Sequence, residues 1–225
     1  MSIKQWPVGD RPRERLLQQG ASTLSDTELL AIFVQTGVKG QTALDISREV
    51  FIQFGSWAEM LATDCETFCQ VPGLGMAKYV LLQAAYELGK RCAREPLMTH
   101  DVLKDTQATY RYLVAKMKDY KREVFACLFL NNANHLIKYQ ELFYGTVNLS
   151  TVHAREVVKA ALDWNAVGLI AVHNHPSGIV YPSEADICVT QHLQKALEPV
   201  DIRLLDHVIV GKGGGIASFV EQGLL

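Results

Sequence analysis

Leu169-Ile170-Ala171-Val172-His173-Asn174-His175-Pro176-Ser177-Gly178, with Ser183-Glu184-Ala185-Asp186 shortly after it, is the stretch on which the fold turns. Its first four residues read as a short buried strand that delivers two histidines at its C-terminal end. Side chains two apart on an extended backbone point the same way, so both imidazoles reach toward one point. Pro176-Ser177-Gly178 breaks the strand, and Tyr181-Pro182 introduces the next element. Ser183 to Asp186 opens a helix whose apolar positions Ile187, Val189, Leu193, Leu197 and Val200 fall roughly on helical spacing. Asp186 therefore sits in a first turn, close to the strand end that the loop has just left. Two neutral imidazoles and one carboxylate form a three-ligand set of borderline hardness. Such a set leaves the fourth tetrahedral position for water, which separates catalytic from structural zinc. Ser183 with Asp186 is also a capping-box pair. Capping accounts for neither histidine.

Outward from this stretch, the ligand strand spans 167–172, the metal helix 183–198 and a further strand 202–210, with a helix at 152–164. Residues 123–130 and 135–144 read as a hairpin turned by Asn131-Asn132-Ala133-Asn134, preceded by a helix at 106–118. Elements mixed in this way make an α/β or α+β domain, a mixed sheet with helices on its faces. Hydrolysis there needs a carboxylate beyond the ligands, because the attacking water must lose a proton and the leaving amine must gain one. Glu123 stands at the start of an all-apolar strand, at the rim of a buried sheet, whereas Glu141 lies inside the second strand, where a charge can simply face solvent. Glu123 is favoured and Glu141 stays open. Ser183 is suited to donate a hydrogen bond to the water or to a developing oxyanion. Asp206 and His207 form a polar pair on the strand Ile202 to Val210, either partners that fix a ligand's tautomer or a structural pair. His153, after Ser150-Thr151, reads as part of a helix start.

His173-x-His175-Pro176, six further residues and Ser183-x-x-Asp186 match the JAMM signature of the MPN/JAB metallopeptidases without a gap. The words His173-Asn174-His175-Pro176-Ser177-Gly178 and Leu205-Asp206-His207-Val208-Ile209-Val210-Gly211 resemble the bacterial RadC family, the UPF0758 group. The likeness covers nearly the whole chain, from Arg11-Pro12-Arg13-Glu14-Arg15-Leu16 through a helix-hairpin-helix-like region to the metal domain. The resemblance implies an MPN/JAB-like, cytidine-deaminase-like mixed sheet flanked by helices. It also implies a Zn2+ ion held by His173, His175 and Asp186, with a glutamate as general acid/base. The family's glutamate precedes an apolar strand, and Glu123 is the residue that matches.

The first hundred residues have a different character. Ser25-Asp26-Thr27-Glu28 caps a helix through Val34, Thr42 to Phe54 reads as a second helix, and Met76 to Arg94 as a long last one. Val71-Pro72-Gly73-Leu74-Gly75, after Asp64–Gln70, is the helix-hairpin-helix signature, whose glycines permit positive φ and let backbone amides approach a phosphate. Thr36-Gly37-Val38-Lys39-Gly40 joins two earlier helices in a similar way and hints at a duplicated unit. Composition shifts around Arg94-Glu95-Pro96-Leu97, which predicts a small all-α helix-hairpin-helix domain over 1–100 and a metal-dependent hydrolase domain over 101–225. Residues 1–100 hold 10 Lys and Arg against 11 Asp and Glu, and the remainder 12 against 13. Neither half carries the clustered positive charge of a duplex binder; only scattered residues such as Lys39, Lys78, Lys90, Arg91 and Arg94 are available. Weak nucleic-acid binding through residues 64–94 and a pure protein-packing role both stay open.

The chain, 225 residues with 48% apolar content, has ample material for a core. No apolar run approaches membrane-spanning length and Met1 to Pro7 lacks a signal core, so a cytoplasmic protein with no membrane partner is expected. Five cysteines, at 65, 69, 92, 127 and 188, have no CxxC spacing and read as reduced core thiols. Cys188, two residues past Asp186, faces another side of its helix and is not expected to ligate. The leading expectation is a zinc-dependent hydrolase of the JAMM type cleaving a peptide or isopeptide bond in a peptide or protein substrate. A second is a DNA-associated accessory protein of repair or recombination acting through the hairpin region, an association the RadC resemblance carries. A metal-dependent nuclease ranks last, because phosphoryl transfer more often uses paired metals held by several carboxylates.

Overall fold

β1 (Val124–Leu130) is buried along its whole length because successive side chains enter two different cores. In the computed structural model, which describes residues 6–145, 147 and 151–225, the chain forms two compact units, Met1–Gly89 and Lys90–Leu225. The second holds β1, β2 (Leu136–Tyr144), β3 (Gly168–His175), β4 (Arg203–Gly211) and β5 (Ile216–Ser218). They form one sheet in the order β2-β1-β3-β4-β5. All neighbours are antiparallel except β3 and β4. Phe125, Cys127 and Phe129 of β1, with Leu169 and Ala171 of β3, face α8 (Ala154–Asp163) and α9 (Glu184–Leu197). Val124, Ala126, Leu128 and Leu130, with Ile170, Val172, Val208 and Val210, pack on the other side against α7 (Thr106–Met117). Covering both faces of β1 and β3 with helices is what makes these strands read as continuous apolar runs. A helical N-terminal region followed by a mixed five-stranded sheet flanked by helices is the architecture expected from sequence. No helix among the described residues is long and apolar enough to cross a membrane.

Two elements end elsewhere than sequence patterning suggests. The ligand strand runs on through both histidines to His175, because β4 pairs with it residue by residue as far as His175 opposite Gly211. The long helix, α6 (Met76–Thr99), passes Arg94 and contains Pro96. Leu97, 2% exposed in the core of the second unit, holds the last turn in place, and the turn closes with His100 N–H donating to Pro96 O at 2.9 Å.

In the first unit, α1 (Pro12–Gln19), α2 (Asp26–Val34), α3 (Ala43–Phe54), α4 (Trp57–Ala62) and α5 (Cys65–Cys69) precede α6. α2 and α3 each begin with a complete capping box, Ser25 with Glu28 and Thr42 with Asp45. The hairpin glycine Gly73 has φ +85°, and a Cβ there would meet Ile46 Cδ1 at 2.7 Å and Val38 Cγ1 at 3.0 Å. The positive φ, with these two side-chain ends crowding the position, favours glycine here without any ligand. Lys78, one of the scattered cations, donates to the carbonyls of Gly73 and Thr36.

Candidate metal centre

His173 and His175 leave β3 on the face covered by α9, and Asp186 descends from the first turn of α9 to meet them. His173 Nε2 is 3.0 Å from His175 Nε2 and 3.1 Å from Asp186 Oδ1, while His175 Nε2 is 3.8 Å from Asp186 Oδ2. One ligand atom from each side chain lies within 4.8 Å of the others. His173 and Asp186 are buried, and the His175 side chain keeps 15% of its surface, so the group opens outward past His175.

The protonation pattern says what belongs at this point. His175 Nδ1 lies 2.6 Å from Ile179 O. A carbonyl can only accept, so Nδ1 carries a proton and, in the neutral ring, Nε2 presents a lone pair. That lone pair converges on a second imidazole nitrogen and a carboxylate, an assembly of acceptors that only a cation or a shared proton can join. Nitrogen, nitrogen and oxygen donors of this hardness fit a divalent transition-type ion.

Close backbone approach orients His175. The loop after it folds back with Gly178 N–H donating to His175 O at 3.0 Å. A Cβ on Gly211 would meet Gly178 O and Val180 Cγ1, both at 2.7 Å. Glycine at 211 lets the loop lie over the strand end and bring Ile179 O to the imidazole. Ile179 and Tyr181 stand exposed on the same loop.

Ser183 caps α9 and forms the full box with Asp186: its Oγ donates to Asp186 Oδ2 at 2.6 Å, its N–H donates to the same oxygen at 2.8 Å, and Asp186 N–H donates back at 3.2 Å. The single hydroxyl proton is thus directed at the carboxylate. Glu123 precedes β1. Phe125 is the register partner of His173, and Glu123 lies two residues before it, toward the end of β3 that carries His175. Its Oε2 accepts from Val147 N–H at 2.8 Å. Glu141 pairs with Ala126, a residue of the opposite core. Its carboxylate accepts from the hydroxyls of Tyr120 and Tyr144.

Asp206 and His207 do not bond to one another through their side chains, because alternate strand positions face opposite ways. Asp206 accepts from His207 N–H at 2.8 Å, Ser218 Oγ at 2.7 Å and Val220 N–H at 3.1 Å, tying β4 to β5 and the turn after it; burial raises its carboxyl. His207 turns instead to the face that carries His173. Its Nε2 is 2.8 Å from His173 Nδ1 and its Nδ1 is 2.6 Å from Thr190 Oγ1. Completely buried and stacked on Phe219 with centroids 4.6 Å apart, its ring is held neutral by burial. Sequence reading missed Thr190 and Asn174. Thr190 is one helical turn after Asp186, and Asn174 fills the alternate position between the histidines. The spacing of both was visible, but their partners lie far along the chain.

Other expectations change. His153 occupies the N-cap position of α8 but makes no capping hydrogen bond; its ring packs edge-on against Phe143, centroids 6.1 Å apart. Ser150 lies outside the described residues. Of the five cysteines only Cys127 is a core thiol: Cys65 and Cys69 are half-buried, and Cys92 and Cys188 are exposed, since each of the latter falls on the outer side of its helix.

The RadC-like JAB domain family matches residues 103–224, and the UPF0758 N-terminal family matches residues 3–80. The chain is 54% identical over 225 residues to a UPF0758 protein of Nitrosococcus oceani, all of both chains being covered. It is 50% identical, again over 100% of each chain, to UPF0758 proteins of Marinomonas sp. and of Thioalkalivibrio sulfidiphilus.

Proposed function

This chain belongs to the UPF0758 family and carries a RadC-like JAB domain, and from that premise we propose that it is a zinc-dependent hydrolase of peptide or isopeptide bonds. The observation that carries the reading is the convergence of His173 Nε2, His175 Nε2 and the Asp186 carboxylate on one point. When bound there, a divalent ion supplies a Lewis acid for the scissile carbonyl and lowers the pKa of an attacking water to about 7. The protein's own groups do the rest. His173 and Asp186, both buried, give the site a fixed and poorly solvated floor, and His175 forms its rim. Glu123, two residues before the register partner of His173 and half-exposed, is the proposed general base that accepts the proton of the water and returns it to the leaving amine. Ser183 is proposed to assist the developing oxyanion by turning its hydroxyl away from Asp186. The exposed Ile179 and Tyr181 offer apolar purchase to an extended polypeptide beside the site.

The placement of Glu141 among tyrosines on the opposite face of the sheet supports Glu123 in this role. The test is the Glu123→Gln variant assayed beside wild type on peptide and isopeptide-linked substrates, with metal content measured on the same samples. Turnover should fall by about 100-fold or more with metal content unchanged. Full activity in Glu123→Gln removes it from the mechanism, and wild-type protein that is loaded with metal yet inert to every amide substrate counts against the hydrolase reading.

A further inference from the structure

We propose that Thr190 and His207 are positioning residues that fix the tautomer of His173 and so keep its Nε2 lone pair facing the metal position; this rests on the reading of His173, His175 and Asp186 as ligands. The chain of hydrogen bonds has one end whose direction admits no choice. Thr190 Oγ1 is 2.7 Å from Asp186 O, one helical turn back, and a backbone carbonyl can only accept. The hydroxyl proton therefore lies on that bond. At 2.6 Å from His207 Nδ1, the Thr190 oxygen is left as an acceptor, which requires the proton of the neutral ring to be on Nδ1. His207 Nε2 is then a bare acceptor. It takes the Nδ1 proton of His173 across 2.8 Å, and His173 Nε2 is left with its lone pair directed at His175 and Asp186.

Nothing in an isolated histidine enforces this choice of tautomer. A metal-ligating imidazole commonly has its second nitrogen fixed by a carboxylate or a carbonyl. In this chain the fixing group is another imidazole, itself amphiprotic, so the order has to be imposed from further back. Asp186 takes part at both ends: its carboxylate faces the metal position, and its backbone carbonyl sets the sense of the relay through Thr190. The same turn of α9 thus supplies one ligand and orients another. The ring of His207 is clamped between Phe219 and Phe125, with centroids at 4.6 and 5.7 Å, which prevents it from turning to exchange its nitrogens.

The test begins with metal-free wild type. Long-range proton–nitrogen correlation spectra of the histidine rings at about pH 8 should place a proton on Nδ1 and none on Nε2 of His207, and a proton on Nδ1 of His173. Protonated Nε2 on His207 overturns the relay, and this measurement needs no variant to fold and no metal to bind. The second arm titrates Zn2+ against a competing chelator. Thr190→Val keeps the shape but removes the acceptor, so its affinity should fall about 10- to 100-fold, while Thr190→Ser, which restores the hydroxyl, should bind within a few-fold of wild type by the same argument. Thr190→Val binding as tightly as wild type overturns the proposal. Wild type that takes up no divalent ion sinks the ligand reading instead, and the relay is then decided by the ring-nitrogen pattern alone.

Discussion

Asn174 separates the two histidines and faces away from both. It is 2% exposed; its Oδ1 accepts from Val124 N–H at 2.8 Å, and its Nδ2 donates to the carbonyls of Arg122 at 3.1 Å and Tyr120 at 3.4 Å. One side chain thus fastens the segment that carries Glu123 to the strand that carries the two histidines. Asn174→Ala leaves a buried N–H without its acceptor, so unfolding in denaturant should show a loss of about 1–3 kcal/mol. Wild-type stability in that variant would contradict the clamp. The histidines themselves were legible in the sequence because a period of two needs only local extension. The roles of Asn174 and Thr190 were not, and that of His207 was legible only as one of two alternatives, since each acts on a segment brought close by folding: Val124 lies 50 positions from Asn174, and His207 lies 34 from His173.

Among elements, the ligand strand and the metal helix were legible because a short apolar run and a capping box are local signals. Where β3 ends was not, because pairing with β4 carries it through both histidines, as far as His175. The continuation of α6 through Pro96 was hidden for a similar reason, since the burial of Leu97 in a distant core outweighs the local preference of proline. The loop over the end of β3 depends on the absence of a side chain at Gly211. Gly211→Ala places a methyl 2.7 Å from Gly178 O and Val180 Cγ1, displacing the loop and with it Ile179 O, the group that orients His175. Zn2+ affinity should drop about 10-fold or more, read by chelator competition. Unchanged affinity would mean that the Ile179 carbonyl does not set the His175 ring.

Over the whole molecule, the division of labour follows from which surfaces are buried. The JAB unit encloses its sheet on both faces, so the thiol of Cys127 lies fully buried and is pushed far above its ordinary range by desolvation. Native protein treated with an alkylating agent at about pH 8.5 should be modified at the exposed Cys92 and Cys188 and spared at Cys127 until it is unfolded. Mass spectrometry of the digested protein reads this, and early labelling of Cys127 would mean that the sheet opens. The helical N-terminal region and the mixed sheet were both legible from patterning and composition, and a candidate site of two histidines and an aspartate followed from one fourteen-residue stretch. The central claim is that these three side chains share one ion. Metal analysis of wild type beside the His173→Ala/His175→Ala variant tests it most directly: about one zinc per chain in the first and none in the second is the expected result, and equal metal content in the two would contradict it.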